Sequence, residues 1–146
     1  MKLSPLSARG GFTLLEIMLV VAIIILLLGA AVFKMKPALG QAKMARAQAD
    51  IQSLQIPLTS YEALGGNLPT TSQGLKAIVE KPTSEPRPRM WSPGMESLPK
   101  DPWNHEYIYE YPGRHNPESY DIYSAGRNGK PGDEDDIGNW DQTTKP

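Results

Sequence analysis

The sequence predicts an α+β protein in which a long N-terminal helix packs on a small antiparallel β-sheet. An uninterrupted apolar run from Ile17 to Phe33 is too long for an ordinary strand and favours a helix. The C-terminal part is polar and rich in Gly and Pro, and it contains two short β-like runs, at residues 107–111 and 120–124. A length of 146 residues fits one compact domain plus an additional helical part.

The composition excludes several classes of function. The formal net charge is −1 and Lys and Arg are scattered, so no nucleic-acid partner is expected. The chain has no cysteine, which excludes disulfides, thiol catalysis and cysteine metal sites. Its two histidines, His105 and His115, stand in no metal-binding or nucleophile spacing, and no other catalytic constellation is present, so we predict no enzyme. A small exported domain without disulfides needs another source of stability, such as oligomer packing or a bound ion.

The apolar segment from Phe12 to Phe33 covers 22 residues, close to the roughly 20 that cross a bilayer as a helix. One interpretation is a cleaved signal peptide, although this apolar segment is longer than the apolar region of a signal peptide, which is usually about 7–15 residues. A second is a signal anchor that holds a periplasmic domain. A third is a helix that assembles with other helices.

Glu16 favours the third interpretation. An acid inside a membrane segment costs roughly 2.5–3.5 kcal/mol and usually has a partner. No Lys, Arg or His lies between residues 10 and 33. Cleavage before Phe12 would create an α-amino group with a pKa of about 7.7–8.0, mostly protonated at neutral pH. That group could pair with Glu16 in the same helix or in a neighbouring copy, where the pair would fix the axial register.

The stem after the apolar segment is predicted to continue as a helix. Two rows of side chains recur at helical spacing. The small row is Ala38, Ala42, Ala45 and Ala49, and the larger row is Ile51, Leu54, Leu58 and Tyr61. The small row could pack closely on other helices and the larger row on a globular domain, and one ordinary amphipathic helix fits equally well. Pro37 and Pro57 are predicted to kink or interrupt the helix, and Gly65-Gly66-Asn67 to end it.

The globular part is predicted to contain a short helix, a loop and a hairpin. Thr70-Thr71-Ser72 can cap a helix from Gln73 to about Glu80, with Leu75, Ile78 and Val79 facing inward. Residues 82–93, which include four prolines, read as a loop. The alternating Tyr107, Tyr109 and Tyr111 indicate sheet packing, with a ligand-binding platform as the alternative.

Four consecutive acids follow Asn128-Gly129 near the C-terminus: Asp133, Glu134, Asp135 and Asp136. From composition this segment can be a solvated acidic turn or a Ca²⁺ site. Ca²⁺ takes six to eight oxygen ligands from carboxylates and carbonyls. The spacing does not match an EF-hand loop, in which the acids alternate before a glycine.

The string Gly11-Phe12-Thr13-Leu14-Leu15-Glu16, preceded by the basic residues Lys2 and Arg9, resembles a type IV prepilin processing site. The resemblance implies cleavage between Gly11 and Phe12 by a prepilin peptidase and N-methylation of Phe12. It places Glu16 at the family's acidic position. It also places a leader at residues 1–11, a membrane and assembly helix at 12–33, a helical stem at 34–64 and a periplasmic α+β domain at 65–146.

Further strings resemble the major pseudopilins of type II secretion systems. They are Pro69-Thr70-Thr71, Gln73-Gly74-Leu75, Leu98-Pro99-Lys100-Asp101-Pro102-Trp103 and Asp135-Asp136-Ile137-Gly138-Asn139-Trp140. This resemblance implies an inner-membrane subunit of a periplasmic pseudopilus that polymerises to drive export of folded proteins. The implied partners are further copies, minor pseudopilins, the prepilin peptidase, the inner-membrane secretion platform and secreted proteins. A minor type IV pilin, a DNA-uptake pseudopilin and a signal-anchored periplasmic binding module are the alternatives.

The same resemblance implies a weakly bound Ca²⁺ in the C-terminal loop. Asp135 and Asp136 match the family's acidic pair, and Ala125, Lys130 and Asp133 fall where backbone carbonyls contribute. Asn128 stands where the family usually has an aspartate, so it supplies an oxygen without a charge. The helix departs from the family as well, because Phe33 replaces the usual proline and Ile25 the usual glycine. The point at which the helix loosens on assembly is therefore not defined by the sequence.

Overall fold

The computed structural model describes residues 12–142, without the side chains of residues 31–36, 141 and 142. Lys2, Arg9 and Gly11, and with them the leader and the cleavage position, lie outside the described residues. The described residues form two compact units, which divide after residue 40. The domain boundaries at residues 11, 33 and 64 stay predictions.

In the first unit, helix α1 (Leu14–Gly65) begins directly after Thr13. The Glu16 backbone N–H points at the Thr13 hydroxyl, 3.3 Å away, so Thr13 caps the helix and Glu16 occupies the third helical position. The side chains from Phe12 to Ile25 are exposed in the isolated chain. Within residues 12–142, no helix has both the length and the apolar character needed to cross a membrane. The predicted membrane span, residues 12–33, includes residues 31–33, whose side chains the structure does not describe.

In the second unit, the larger row of helix α1 forms one side of the hydrophobic core. The core residues that α1 contributes are Ala47, Ile51, Leu54, Leu58 and Tyr61. The prediction that this row packs on the globular part is confirmed. Ala42, Ala45 and Ala49 of the small row are exposed in the isolated chain, as is Ala38 in the first unit.

The helix assignment continues through both prolines, so neither interrupts the helix, and the kink predicted as the alternative stays a prediction. Proline removes one helical hydrogen bond and crowds the preceding turn. At Pro57 tertiary packing offsets this cost, because Leu54 and Leu58 on either side are fully buried. The Pro57 ring itself is buried against Gly94, whose N–H donates to the carbonyl of Ile78 at 2.8 Å.

The helix ends at Gly65, as predicted. Gly66 has a positive φ of 83°, and its N–H donates to the carbonyl of Glu62 at 2.8 Å, the arrangement of a left-handed C-terminal cap. Terminal carbonyls without intrahelical donors need other partners. The proline-rich loop supplies them, since the N–H groups of Arg89 and Met90 donate to Gly65 and Leu64 at 3.1 and 3.3 Å.

The short helix after the stem is smaller than predicted. Thr70 and Gln73 exchange side-chain hydrogen bonds with each other's backbone N–H at 3.0 and 3.2 Å, which is the reciprocal pattern of a capping box. Regular helix is limited to the 3₁₀ turn Leu75–Ile78, because Gly74 has a positive φ of 58°. Leu75 and Ile78 are buried as predicted.

A three-stranded antiparallel sheet packs against the helix in the second unit. Its strands are β1 (Ile108–Glu110), β2 (Asp121–Ser124) and β3 (Ile137–Gly138), in the order β1-β2-β3. Ile108 pairs with Tyr123, and Tyr123 pairs in turn with Gly138. Strands β1 and β2 lie in the two runs that the sequence indicated, whereas β3 has only two residues and was not predicted. A second 3₁₀ turn, Asn139–Gln142, follows β3.

Tyr107 and Tyr109 belong to the core, so the prediction that they pack in the sheet is confirmed. The Tyr107 hydroxyl donates to an Asp50 carboxylate oxygen on α1 at 2.9 Å, and the Tyr109 hydroxyl donates to the carbonyl of Pro69 at 2.9 Å. Burial, more than any other factor, raises the pKa of both phenols above its ordinary value. Neutral, hydrogen-bonded phenols therefore connect the sheet to the helix and to the turn that follows it.

Candidate functional site in the C-terminal loop

The C-terminal loop, residues 125–136, connects strands β2 and β3. Because Ser124 pairs with Ile137, the two ends of the loop are held side by side. All six of the predicted Ca²⁺ ligands lie in it: Ala125, Asn128, Lys130, Asp133, Asp135 and Asp136.

Buried Asp101 anchors the start of the C-terminal loop. One of its carboxylate oxygens accepts the N–H groups of Trp103 and His105 at 3.0 and 2.7 Å. The other accepts the Ser124 hydroxyl at 2.5 Å, and the Ser124 oxygen in turn accepts the N–H of Gly126 at 3.1 Å. Asp101 was not predicted as a site residue, although it lies inside one of the strings that resemble the pseudopilins.

Asp135 and Asn128 form the centre of the loop. One oxygen of Asp135 accepts the N–H groups of Arg127 and Asn128 at 3.0 and 3.3 Å. The Asn128 Nδ2 lies 2.7 Å from Asp133 Oδ2 and 2.7 Å from Asp135 Oδ1. Its Oδ1 accepts the N–H of Lys130 at 2.6 Å. Hydrogen bonding with Asp135, and then with Asn128, lowers the pKa of the Asp133 carboxyl.

Gly126 permits the close approach of the two sides of the loop. Its φ is +59°, in the left-handed region that favours glycine. A Cβ at this position would clash with the carbonyl oxygen of Asp135. The carboxylate of Asp135 can therefore reach the N–H groups of residues 127 and 128 only because residue 126 has no side chain.

The donor set of the loop fits Ca²⁺ in its chemistry. Asp136 Oδ2 accepts the N–H of Gly132 at 2.7 Å, whereas its Oδ1 is buried and has no hydrogen-bond partner. A buried carboxylate oxygen without a donor is a suitable ligand for a hard cation. The carbonyl of Ala125 accepts the N–H of Gly129 at 3.1 Å. Over residues 12–142, no group of three or more His, Cys, Asp or Glu side chains is arranged to hold a metal, so a site here would depend on Asp135 and Asp136 together with carbonyl and amide oxygens.

The predicted processing and assembly residues lie far along the sequence from this loop. Phe12 is 79% exposed in the isolated chain. Glu16 stands in the first turn of α1, where a negative charge is favourable because of the helix dipole. Cleavage between Gly11 and Phe12, methylation of Phe12 and pairing of Glu16 stay predictions.

A cavity of about 350 Å³ lies beside Tyr107 and Tyr109. A binding module would use such a cavity with the tyrosine rings as a platform. Both rings are buried in the core, and both hydroxyls are engaged by Asp50 and Pro69. The tyrosines are therefore packing residues and not an exposed recognition surface.

One face of helix α1 packs on a small antiparallel sheet, and the first turns of the helix are apolar and exposed. These two features define the pilin-like class of α+β subunits. The model of the family "Type II secretion system (T2SS), protein G" matches residues 34–140. The chain belongs to this family. It is a structural subunit of the pseudopilus of a type II secretion system, and it is not an enzyme.

Individual relatives agree with this assignment over most of their length. The type II secretion system core protein G of Pseudomonas aeruginosa is 41% identical, over 91% of this chain and 96% of the relative. The corresponding protein of Pectobacterium carotovorum is 42% identical, over 94% and 88%. The crystal structure of the major pseudopilin of enterohaemorrhagic Escherichia coli is similar with a TM-score of 0.69 and 36% identity, over 75% of this chain and 93% of that one.

Proposed function

We propose that this chain polymerises through its N-terminal helix into the periplasmic pseudopilus and thereby drives export of folded proteins across the outer membrane. The similarity to core proteins G over more than nine-tenths of the chain carries this proposal. The contrast along α1 supports it. The helix face in the second unit is buried in a core, whereas the apolar side chains of the first turns have no partner within the described part of one chain.

Before assembly, residues 12–33 span the inner membrane once and the globular part lies in the periplasm. A prepilin peptidase first removes residues 1–11 and methylates Phe12. The further partners are copies of this chain, minor pseudopilins, the inner-membrane secretion platform and, during export, the secreted proteins. The family relationship and the string from Gly11 to Glu16 support these assignments.

Complementation separates this proposal from a signal-anchored binding module. In a strain that lacks the gene, the full chain should restore secretion, and a soluble periplasmic fragment from residue 35 should not. A fragment that restores secretion on its own would contradict polymerisation through the N-terminal helix.

We also propose that the C-terminal loop binds Ca²⁺ weakly, with a Kd near the 10⁻⁴–10⁻³ M range, which is about that of extracellular modules. Asp135 and Asp136 would supply the charge, Asn128 an amide oxygen, and Ala125, Lys130 and Asp133 carbonyl oxygens. The unpartnered buried oxygen of Asp136 supports this site. The ion would supply positive charge that holds the acidic loop together.

Thermal melting of the full chain in detergent tests the ion. Ca²⁺ at a hundredfold excess over Kd would stabilise the folded form by about 2.7 kcal/mol. Asp136→Ala should abolish the shift in Tm, and Lys81→Gln, far from the loop in sequence, should leave it unchanged. Equal melting of the wild-type chain in millimolar Ca²⁺ and in chelator would contradict the site.

A further inference from the structure

We propose that the Asn128 carboxamide bridges Asp133 and Asp135 and holds the C-terminal loop folded without a metal, and that Ca²⁺ can bind only when this bridge opens. The first half of the proposal stands on the contacts of Asn128 alone. The second half rests on the proposed Ca²⁺ site.

The contacts of Asn128 fix which end of its carboxamide faces the acids. Ionised carboxylates only accept hydrogen bonds, and a backbone N–H only donates. The NH₂ end lies 2.7 Å from one oxygen each of Asp133 and Asp135, and the carbonyl end lies 2.6 Å from the N–H of Lys130. The reverse orientation would place an oxygen against two carboxylates and an NH₂ against an N–H. All three contacts are therefore satisfied in one orientation only.

The NH₂ group of Asn128 supplies partial positive charge between the carboxylates of Asp133 and Asp135, as a cation would. Two carboxylates that converge on one point repel each other unless positive charge lies between them. The two N–H dipoles of the carboxamide provide it, through hydrogen bonds to charged acceptors, which are stronger than those between neutral groups. Asp135 Oδ1 would be shared between the bridge and the proposed site, and a Ca²⁺ ion on it would meet the positive end of the amide. The closed bridge and the bound ion therefore exclude each other.

The bridge also joins the two sides of the loop. Asn128 lies on the side that leaves β2, and Asp133 and Asp135 lie on the side that returns to β3. Asp135 further accepts the N–H groups of residues 127 and 128, and the carbonyl of Ala125 accepts the N–H of Gly129. Opening the bridge would remove the side-chain contacts that connect Asp133 to the opposite side of the loop.

Hydrogen exchange of the full chain in detergent tests both halves. Asn128→Asp removes both donors and adds a third carboxylate, and Asn128→Ala removes the bridge without adding charge. Arg127→Gln is the control, since it changes the net charge by the same −1 as Asn128→Asp at an exposed neighbouring position. In chelator the amides of residues 127–130 should exchange at least tenfold faster in Asn128→Asp than in the wild type. Asn128→Ala should show a smaller increase, and the control none.

The outcomes separate the two halves. Wild-type exchange in both Asn128 variants in chelator would overturn the bridge. Faster exchange of both Asn128 variants than of the wild type in chelator, with Ca²⁺ slowing the exchange of Asn128→Asp, would support the bridge and the Ca²⁺ site. Faster exchange that Ca²⁺ changes in no variant would support the bridge and reject the Ca²⁺ site. The side-chain amide NMR signals of Asn128 should shift when Ca²⁺ binds, and unchanged signals at saturation would overturn the exclusion.

Discussion

Buried Asp121 organises the turn that precedes strand β2. Its two carboxylate oxygens accept the N–H groups of His115 and Asn116 at 2.8 and 3.1 Å, and the Asn116 side-chain amide at 2.8 Å. Gly113 packs so closely on this carboxylate that a Cβ there would lie 2.5 Å from its oxygen. The sequence carries no pattern that distinguishes Asp121 from a surface acid, since its burial depends on the turn that it organises.

Replacing Asp121 with Asn should destabilise the fold by about 1.5–3 kcal/mol, because a bond to a charged acceptor is lost and an NH₂ group meets a donor. Glu118→Gln is the matched control, since Glu118 is exposed in the same turn, and its effect should stay within about 0.5 kcal/mol. Denaturant unfolding of the detergent-solubilised chain measures both. Equal stabilities of the two variants would show that Asp121 does not hold this turn.

Glu16 allows a test of charge against local helix capping. Glu16→Ala should still insert, and should insert more readily, because the membrane penalty disappears. Under the proposed pairing of Glu16 with the N-terminus of a neighbouring copy, secretion should fail, because the contact that would set the register is lost. Glu16→Gln keeps a residue suited to the third helical position but removes the charge, so it should fail as well. Normal secretion with Gln, but not with Ala, would assign Glu16 to capping instead of register.

Helix α1 shows what sequence periodicity predicts at the scale of an element. The spacing of Ile51, Leu54, Leu58 and Tyr61 identified the buried face, and the glycines after residue 64 identified the end. Of the kink or interruption predicted at Pro57, the interruption does not occur. The packing partner of Pro57, Gly94, is far along the chain, and local rules do not contain that contact. Strand β3 escaped prediction for a similar reason, since a two-residue strand has no periodicity and exists only through its pairing with β2.

The contact between Pro57 and Gly94 can be tested with a pair of glycine substitutions. A Cβ at residue 94 would lie 2.5 Å from the Pro57 Cβ, so Gly94→Ala should destabilise by about 1–3 kcal/mol through overpacking. Gly40 lies in the same helix as Pro57, and a Cβ at residue 40 would meet nothing within 4 Å. Gly40→Ala should therefore be neutral or should stabilise the fold by up to about 1 kcal/mol. Comparison of Tm values measures both, and a neutral Gly94→Ala would contradict the packing that retains Pro57 in the helix.

At the scale of the whole molecule, we expect the buried phenols to make the stability of the fold depend on alkaline pH. Burial, followed by the charge of Glu110, raises the pKa of Tyr123 to about 12. Tyr107 and Tyr109 are shifted in the same direction, again mainly by burial. Such groups contribute fully to stability below the unfolded pKa of about 10, and the contribution is lost as pH rises through the folded pKa.

Unfolding free energy should therefore fall between about pH 10 and 12, by up to about 1.4 kcal/mol per pH unit for each shifted tyrosine. Tyr123→Phe should flatten this dependence, because it removes one titrating group. Equal slopes for the wild type and Tyr123→Phe would contradict a raised pKa at this residue.

The α+β architecture and the family followed from the sequence because both depend on strings and periodicities that are local. Long-range contacts were not predictable in the same way. The loop contacts that cap α1 and the Asp101 anchor each join residues that are far apart in the sequence. The amide bridge of Asn128 spans only five to seven residues, and it depends on the folded shape of its loop. In the sequence, Asn128 differs from the family's usual aspartate by the lack of a charge. In the folded loop, its carboxamide also donates hydrogen bonds to Asp133 and Asp135.

Filament composition tests most directly whether the processed chain polymerises. Overexpression of the secretion operon should give filaments that can be sheared from cells, and intact-mass analysis should identify this chain in them, beginning at methylated Phe12. Filaments without the chain, or a chain that begins at Val32 after ordinary signal-peptide cleavage, would contradict its assignment as the polymerising subunit.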